Sequence, residues 1–223
     1  MTKDQAARAA VWASQLSADE LERAVRGVSE RRYAKGTYIC HRGDRLEYWT
    51  GIVTGLVKVS SIARSGKAIT YAGFGAGGWF GEGTILKNEA RKYDLVAIRE
   101  THLLLMNRTT FDWLYDNSVG FNRFLVQQLN ERLAQFIAVT EYDRLLAPEA
   151  RVARHLSWLC NPILNPDVHG RIEITQEELA LLAGVSRPIV NRGLQTLQDS
   201  GLIAIEHGVL HVLNVAGLGS YGN

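Results

Sequence analysis

The chain has 223 residues, 46% of them hydrophobic, and a formal net charge of +2. This length and composition predict folded domains with hydrophobic cores, and no apolar run reaches the ~20 residues of a membrane-spanning helix. Residues 1–10 lack the apolar core of a signal peptide, which predicts a cytoplasmic protein without a membrane partner. Cys40 and Cys160 are isolated in the sequence, so neither belongs to a C-x-x-C zinc or iron–sulfur motif.

Charge is distributed unevenly along the chain. From Pro148 onward there are five Arg and no Lys, against seven Asp and Glu. The C-terminal third is therefore slightly acidic. If it binds a polyanion, the affinity has to come from a few placed arginines, helix N-termini and backbone amides.

The first 118 residues combine a helix with a series of short strands. Ser17 and Glu20 make a capping box, which predicts a helix that runs to about Val28. From Arg31 onward, runs rich in Tyr, Val, Ile and Trp alternate with glycine, as expected for short strands separated by turns. The predicted strands are 32–39, 49–53, 55–63, 68–74, 79–81, 95–100 and 102–106. Their number and spacing predict a compact antiparallel barrel or roll.

One motif in this region matches a dinucleotide-binding signature. Residues 73–78 read G-x-G-x-x-G, but no helix follows and no βαβ unit surrounds them, as that signature requires. We interpret these glycines as strand ends and a tight corner.

Residues from about 119 to 142 predict one long helix. Its apolar side chains recur at steps of three and four residues, and at ~1.5 Å per residue it spans roughly 36 Å. The stripe can pack against the roll, against the same helix of a second chain, or against both. The residues that we assign to a dimer face are Leu125, Leu129, Leu133 and Phe136.

The stretch from Thr175 to Gly201 predicts two helices around a tight turn. Thr175 and Glu178 make a capping box for the first helix, Gly184 ends it, and Ser186 is a natural N-cap for the second. Short strands are predicted at 171–174, 202–205 and 209–213, and a turn at 206–208 joins the last two. Strands around a helix-turn-helix make a winged helix.

The second of these helices carries side chains suited to reading DNA bases. Arginine pairs with guanine O6 and N7, and Asn or Gln with adenine N6 and N7, in the major groove. A helical hairpin with a solvated polar face is the alternative. The predicted DNA-binding residues are Thr175, Gln176, Ser186, Arg187, Pro188, Asn191, Arg192 and Gln195.

This order of elements resembles the CRP/FNR family of bacterial transcription regulators, over roughly Leu21 to Leu213. The motifs that carry the resemblance are Lys35-Gly36, Arg42-Gly43-Asp44, Thr50–Gly55, Phe80-Gly81-Glu82, Arg91 with Ala97, Arg151–Ala153, Val185–Arg187 and Asn191-Arg192. The resemblance implies an α+β protein in three parts. An antiparallel β-roll of the cyclic-nucleotide-binding type (a double-stranded β-helix) spans 1–118, a long dimerisation helix and hinge 119–147, and a winged helix-turn-helix 148–223.

The resemblance further implies a homodimer on a palindromic double-stranded DNA site, with RNA polymerase as a protein partner. Arg187 and Arg192 fall where the family reads guanines. Pro188 stands where many relatives carry a Glu that accepts from cytosine N4, which proline cannot do. The half-site is therefore expected to differ from theirs at one base step.

The resemblance also locates an effector pocket, where this sequence departs from the family pattern. Relatives that bind cyclic AMP hold it with a Gly-Glu pair, with Arg-Ser or Arg-Thr on the phosphate, and with hydroxyls of the long helix on the base. Gly81, Glu82 and Arg91 are present. However, Lys92 and Tyr93 follow the arginine.

The two hydroxyl positions are occupied by Phe136 and Ile137, which cannot hydrogen-bond adenine. Cyclic AMP is therefore disfavoured, and the effector stays unassigned. A phosphate held by Arg91 and Lys92, another small ligand, or no ligand at all remain open, as does an ion pair between Glu82 and Arg91. A haem is a further alternative, for which His41 and His102 are the only histidines in the sensor half.

Two other classes of protein share parts of this pattern. A metal enzyme of the cupin type needs clustered histidines and a carboxylate, and His41 and His102 are too few. Since no Ser-His-Asp or Cys-His motif is present either, we predict neither catalytic nor metal-binding residues. The second rival is a ligand-binding module whose winged domain contacts only protein, and the exposed Arg187, Asn191 and Arg192 argue against it.

Overall fold

The computed structural model describes residues 2–66 and 68–222; Met1, Lys67 and Asn223, which fall within the first and third predicted domains, lie outside the described residues. The chain begins with helix α1 (Lys3–Ala9), a 3-10 helix (Val11–Gln15) and helix α2 (Ala18–Arg26). The predicted capping box of α2 is confirmed, because Ser17 and Glu20 each bond the other's backbone. The helix ends two residues earlier than expected, since Val28 already begins a strand.

Two four-stranded antiparallel sheets form the roll, and the predicted fold class is confirmed. The first sheet has the order β1-β8-β3-β6 and the second β2-β7-β4-β5. The strands are β1 (Val28–Tyr33), β2 (Tyr38–Cys40), β3 (Tyr48–Thr54), β4 (Val57–Ile62), β5 (Ala68–Phe74), β6 (Trp79–Phe80), β7 (Asp94–Ala97) and β8 (Thr101–Asn107). The single strand predicted over 32–39 is thus two strands, divided by a turn at Gly36 (φ +83°).

Two helices of the roll were not predicted from the sequence. They are α3 (Glu82–Lys87), which follows β6, and α4 (Arg108–Asn117), which follows β8. Beneath them lies an aromatic core built on Trp12, Trp49 and Trp79, all at most 3% exposed. The rings of Trp49 and Trp79 are 4.4 Å apart between centroids. This core fixes β6, and with it the segment that follows.

The long helix α5 (Val119–Leu145) leaves the roll and leads to α6 (Pro148–Leu159). Ser118 caps α5 by accepting a hydrogen bond from the backbone of Phe121. Phe121, Phe124 and Leu125 are buried in the aromatic core, so the first turns of α5 belong to the roll.

The C-terminal part is a winged helix, and its hydrophobic core also includes Leu56 and Ile98 of the roll. Its elements are β9 (Arg171–Ile172), α7 (Gln176–Ala183), α8 (Arg187–Asp199), β10 (Ile203–Glu206), β11 (Val209–Val212) and α9 (Val215–Ser220). The three strands form an antiparallel sheet in the order β10-β11-β9. Helix α9 was not predicted; Arg154 of α6 donates hydrogen bonds to the carbonyls of Gly219 and Tyr221 and so ties α9 to the domain. Within 2–66 and 68–222, no helix has the length and apolarity needed to cross a membrane.

Candidate DNA-binding surface and effector site

The helix-turn-helix is built as its sequence predicts. Thr175 Oγ1 accepts from the backbone of Glu178 at 3.2 Å, and Glu178 Oε2 accepts from the backbone of Thr175 at 2.8 Å. Gly184 ends α7 in the left-handed region at φ +63°, where residues other than glycine are strained. Ser186 occupies the N-cap position of α8, although its side chain makes no capping hydrogen bond.

Helix α8 divides cleanly into a buried face and an exposed face. Val190, Leu194 and Leu197 are at most 5% exposed and pack into the core of the domain. The candidate base-reading residues are on the outside, and those that are exposed are Ser186, Arg187, Pro188, Asn191, Arg192 and Gln195. Thr175 is exposed and Gln176 half-buried at the start of α7. The structure therefore brings the predicted DNA-binding residues to one surface.

Several of these side chains already have partners. Arg192 Nη2 lies 3.0 Å from Glu149 Oε1 of α6, and this hydrogen bond lowers the pKa of the Glu149 carboxyl. Gln176 donates to Asn191 at 3.3 Å, while Gln195 donates to Asp199 of the same helix. In the described part of the chain, Arg187 has no ion pair, so its guanidinium is free to meet a base or a phosphate.

The wing is a tight hairpin beside α7. A two-residue turn, His207-Gly208, joins β10 to β11, and both residues have positive φ (+49° and +80°), as a type I′ turn requires. A cleft of about 420 Å³ separates the wing from the start of α7. Its lining includes Thr175, Gln176 and, from the roll, Arg99.

The proposed effector residues of the roll lie around the start of α3. Glu82 is 5% exposed, and its Oε1 lies 3.3 Å from Nε of Arg132 on α5. Arg132 also donates to the carbonyl of Trp79 and lies over the ring of Phe74, at 4.5 Å from its centroid. The alternative of a Glu82–Arg91 ion pair is thus wrong in this structure, because α5 passes over the roll and supplies a different arginine. Arg132 was not singled out in the sequence, because only packing brings it to Glu82.

Arg91 has hydrogen-bond donors without acceptors. It is 3% exposed, and its Nη1 donates to the hydroxyl of Tyr93 at 3.2 Å. Its Nε and Nη2 atoms, and Oε2 of Glu82, are buried without a hydrogen-bond partner in the protein. Leaving a buried charged donor unpaired costs ~1–3 kcal/mol or more. An anionic group beside Arg91 would remove that cost.

The other residues assigned to the pocket differ in their surroundings. The side chain of Lys92 is 74% exposed and pairs with Glu89 at 2.8 Å, so it does not join Arg91 in a cationic pair. Gly81 adopts φ +107°, and a Cβ there would lie 2.8 Å from Nη2 of Arg91. Phe136 and Ile137 are exposed on α5.

The exposed stripe on α5 differs from the predicted dimer face in one residue. Leu129, Leu133 and Phe136 are exposed, whereas Leu125 is 2% exposed and belongs to the core of the same chain. Leu125 is buried because the roll covers that face of the first turns of α5. Val126, which is 59% exposed, continues the stripe instead.

The histidines and cysteines do not form a common site. His102 is buried with Nε2 at 2.8 Å from Glu30 Oε2, and the exposed His41 stacks on Tyr38. Burial raises the pKa of both Cys40 and Cys160 to about 11, so both thiols are protonated at neutral pH. No three His, Cys, Asp or Glu side chains of the described residues are grouped as a metal site would need.

Comparison with known proteins matches two domain models to this chain. A model of the cyclic nucleotide-binding domain matches residues 30–118, and a model of the Crp-like helix-turn-helix domain matches residues 150–221. The cyclic AMP receptor protein of Thermus thermophilus is 28% identical over 90% of this chain and 91% of that protein. The cAMP-activated global transcriptional regulator Vfr of Pseudomonas aeruginosa is 27% identical over 79% of this chain and 85% of its own length.

Among solved structures, FixK2 of Bradyrhizobium japonicum aligns with a TM-score of 0.71 and 19% identity, over 88% of this chain and 98% of that one. At that identity the likeness concerns the fold.

A roll of the cyclic-nucleotide-binding type joined to a winged helix with an open recognition helix defines a DNA-binding transcription regulator. The two domain models match in the expected order, and the Thermus relative aligns over 91% of its own length. The chain belongs to the CRP/FNR family of bacterial transcription regulators.

Proposed function

We propose that this regulator acts as a homodimer on a palindromic DNA site. The observation that carries the proposal is the exposed apolar stripe of α5. Val126, Leu129, Leu133, Phe136 and Thr140 follow one another at steps of three, four, three and four residues, and all five are exposed. This is the a/d spacing of a two-stranded coiled coil. Pairing of α5 with its twin buries the stripe and brings two copies of α8 to one side of the dimer.

Each α8 then reads one half-site. Dimeric helix-turn-helix proteins place their recognition helices about one helical turn of DNA apart, ~34 Å, in successive major grooves. Arg187 and Arg192 are assigned to guanines, Asn191 or Gln195 to an adenine, and Ser186 and Pro188 to the entry of the helix into the groove. Thr175 and Gln176 are assigned to a backbone phosphate at the N-terminus of α7, where amide dipoles favour an anion.

The roll is assigned an anionic effector other than cyclic AMP, bound by Gly81, Glu82, Arg91 and Tyr93. Buried Arg91, with two unpartnered nitrogens, supports the anion. Exposed Phe136 and Ile137 offer no hydrogen bond to a purine. Because Lys92 pairs with Glu89, the second cation of this site is Arg132 rather than Lys92. A haem is the weaker alternative, since His102 is engaged with Glu30.

A cyclic-nucleotide-responsive regulator is the second candidate. The observation that favours it is the burial of Glu82 and Arg91 together in the matched domain, each with an unpartnered atom. The Thermus and Pseudomonas relatives are named for cyclic AMP. The two candidates differ in whether cyclic AMP changes DNA affinity.

The proposed partner, compartment and functional units follow from a role in regulating promoters. RNA polymerase is the proposed protein partner, the cytoplasm is the proposed compartment, and no catalytic role is assigned. The functional units are a sensor over 1–118, a dimerisation helix and hinge over 119–147, and a DNA reader over 148–223.

The test is fluorescence anisotropy with a selected palindromic DNA and extensively dialysed protein, at fixed salt, with and without cyclic AMP. We expect specific binding by a dimer and no response to cyclic AMP. A tenfold or greater tightening, ~1.4 kcal/mol of coupling, would establish the second candidate instead. Specific binding by a monomer in sedimentation at the same concentration would refute the dimer.

A further inference from the structure

The glycine-rich run at 73–78 receives a loop of the DNA-binding domain. A Cβ added at Gly75 would lie 2.6 Å from a methyl of Val168, and one at Gly77 would lie 2.6 Å from Pro166. At Gly78 it would lie 2.6 Å from the carbonyl of Leu164. Real Cβ atoms do not approach other atoms so closely. The glycines therefore form a seat, defined as residues 73–78, into which the loop 164–168 fits.

Hydrogen bonds hold the loop in this seat. The backbone N–H of Gly75 donates to Oδ1 of Asn165 at 2.7 Å, and Asn165 is 2% exposed. The backbone N–H of Asp167 donates to the carbonyl of Ala76 at 3.2 Å. Asn165 also donates to the carbonyl of Trp158 in α6, which ties the seat to the helical core of the DNA domain.

A bidentate ion pair is a second contact between the roll and the DNA-binding domain. Arg99, between β7 and β8, donates through Nη1 and Nη2 to the two carboxylate oxygens of Glu178, at 3.1 and 2.9 Å. The two side chains are 18% and 17% exposed. Burial works to raise the pKa of the Glu178 carboxyl, but hydrogen bonds from Arg99 and Thr175 outweigh it and lower that pKa.

Glu178 therefore has two roles at the N-terminus of α7. It completes the capping box of α7, and it attaches the N-terminus of α7 to the roll. A bidentate contact of this kind fixes the relative orientation of the two groups as well as the distance between them. Because α7 packs against α8 in one core, the orientation of the recognition helix follows from that of α7.

The interface leaves the DNA-reading face open. Arg187, Asn191 and Arg192 stay exposed while the loop is in the seat. Arg99 also lines the cleft between the wing and the start of α7. There it neutralises one carboxylate, Glu178, of a domain that has no lysine and an excess of carboxylates. The exposed recognition helix and the position of Arg99 both favour an orientation of the winged helix in which it can bind DNA.

We infer that the β-roll itself positions the DNA reader: Arg99 and the glycine seat hold the winged helix in one DNA-competent orientation, which makes Arg99 a positioning residue for DNA binding. This inference rests on DNA binding by the unaltered chain, and it adds a role for the roll that requires no effector.

The first test removes the ion pair and keeps the helix cap. The variants are Arg99→Gln, Glu178→Gln and the double variant, since Gln at the third helical position still closes a capping box. The matched control is Arg45→Gln, which removes one exposed roll arginine for which no ion pair is found in the described residues. Affinity for specific DNA is measured by anisotropy, and protection of the Gly75 and Asp167 amides by hydrogen exchange.

We expect each single variant to bind DNA on the order of five- to tenfold more weakly, within the usual range of coupling between sites. The double variant should be no weaker than the singles, because both remove the same contact. The amides of Gly75 and Asp167 should exchange faster in all three, whereas Arg45→Gln should match the unaltered protein in both measurements.

A second test disturbs the seat without touching a charge. Gly75→Ala places a methyl against Val168 on a backbone that alanine can adopt, and Val168→Ala in the same chain makes room for it. Gly83→Ala is the control, since an added Cβ there meets nothing within 4 Å. We expect Gly75→Ala to weaken DNA binding severalfold, the double variant to restore most of it, and Gly83→Ala to have no effect.

Three results would overturn the inference. Unchanged DNA affinity in both Arg99→Gln and Gly75→Ala would mean that docking does not position the reader. Tighter binding would mean that the roll restrains the reader instead. Unchanged exchange at Gly75 and Asp167 in Arg99→Gln would mean that the ion pair does not hold the interface. Failure of DNA binding itself is distinguishable, because the unaltered chain would then not prefer the palindrome over scrambled DNA.

Discussion

At the scale of single residues, the two arginines of α8 differ in their freedom. Arg187 is exposed without an ion pair among the described residues, while Arg192 lies 3.0 Å from Glu149. A base contact by Arg187 can form without first breaking another contact. A contact by Arg192 has to replace or share Glu149, so part of its free energy is offset.

We therefore expect Arg187→Ala to cost ~1–3 kcal/mol of specific binding per half-site. Arg192→Ala should cost less, and Glu149→Gln should strengthen binding slightly, because it frees Arg192 and removes a negative charge. Anisotropy on specific and scrambled DNA at several salt concentrations measures the effects of all three variants. An equal loss on the two DNAs would show that the arginines contact only phosphates.

His155 predicts a pH dependence of stability. Burial in α6 is the main cause that lowers its pKa from 6.5 to about 4. Between these values the unfolded chain takes up a proton that the folded chain does not. Stability should therefore fall as the pH falls from 6.5 towards 4, by up to ~1.4 kcal/mol per pH unit from this residue.

Urea unfolding followed by circular dichroism between pH 4.5 and 7 checks this slope. His155→Leu should flatten the curve, since leucine has no proton to gain. The difference between the two proteins isolates His155 from the other histidines. Parallel curves would contradict the lowered pKa.

At this scale, a contact could be predicted only when its two residues are close together in the sequence. The capping boxes at Ser17 and Thr175 follow from residues three positions apart, and both are formed. Arg99 and Arg132 could not be predicted, because their partners Glu178 and Glu82 are brought to them only by packing. Their charges gave no indication of which carboxylates they would meet.

At the scale of elements, α5 shows how one helix can carry two apolar surfaces. Its first turns bury Phe121, Phe124 and Leu125 in the roll, and Val126, Leu129 and Leu133 remain outside. The three- and four-residue period predicted the helix correctly. It could not separate the two surfaces, since both sets have helical spacing and only the position of the roll decides between them.

This division predicts opposite effects for two leucines. Leu133→Ala should weaken the dimer and leave the folding of the protomer nearly unchanged. Leu125→Ala should destabilise the protomer by ~2–5 kcal/mol, as expected for a buried leucine, without removing a dimer contact. Sedimentation equilibrium measures the first effect and thermal unfolding the second. Loss of dimer in Leu125→Ala alone would place the interface on the other face.

Two of the helices missed in the sequence, α3 and α9, are short or locally ambiguous. Helix α3 begins at Glu82 directly after strand residues, and α9 contains two glycines, Gly217 and Gly219, which lower helix propensity. These helices form because each packs on a surface already present, α3 on the roll and α9 on α6. Tertiary contact overrides propensity in both.

At the scale of the whole molecule, α5 links the proposed effector site to the proposed dimer face. Arg132 of α5 pairs with Glu82 of the roll one residue before Leu133 of the exposed stripe. A ligand that competes for Glu82 or satisfies Arg91 changes the contacts of α5 with the roll. A ligand shifts the regulator between two states only by binding one of them more tightly.

If the proposed anionic effector binds beside Arg91, we expect Arg91→Gln to abolish its influence on DNA affinity and to leave effector-free binding within about twofold. Removing the unpaired charge should also raise the thermal stability of the effector-free protein, because a buried donor without an acceptor is costly. A screen of small anions by thermal shift, run on both proteins, tests this. A ligand that stabilises both proteins equally would bind elsewhere.

The tryptophan core has an optical consequence. The rings of Trp49 and Trp79 are close enough for their electronic transitions to couple, and Trp79 immediately precedes the Phe80-Gly81-Glu82 segment. Any displacement of that segment alters the coupling and thus the near-ultraviolet circular dichroism of the protein. The near-ultraviolet circular dichroism of the tryptophans is therefore an intrinsic probe of this segment. Binding of a ligand in the roll can be followed by this signal in solution, without a label and in real time.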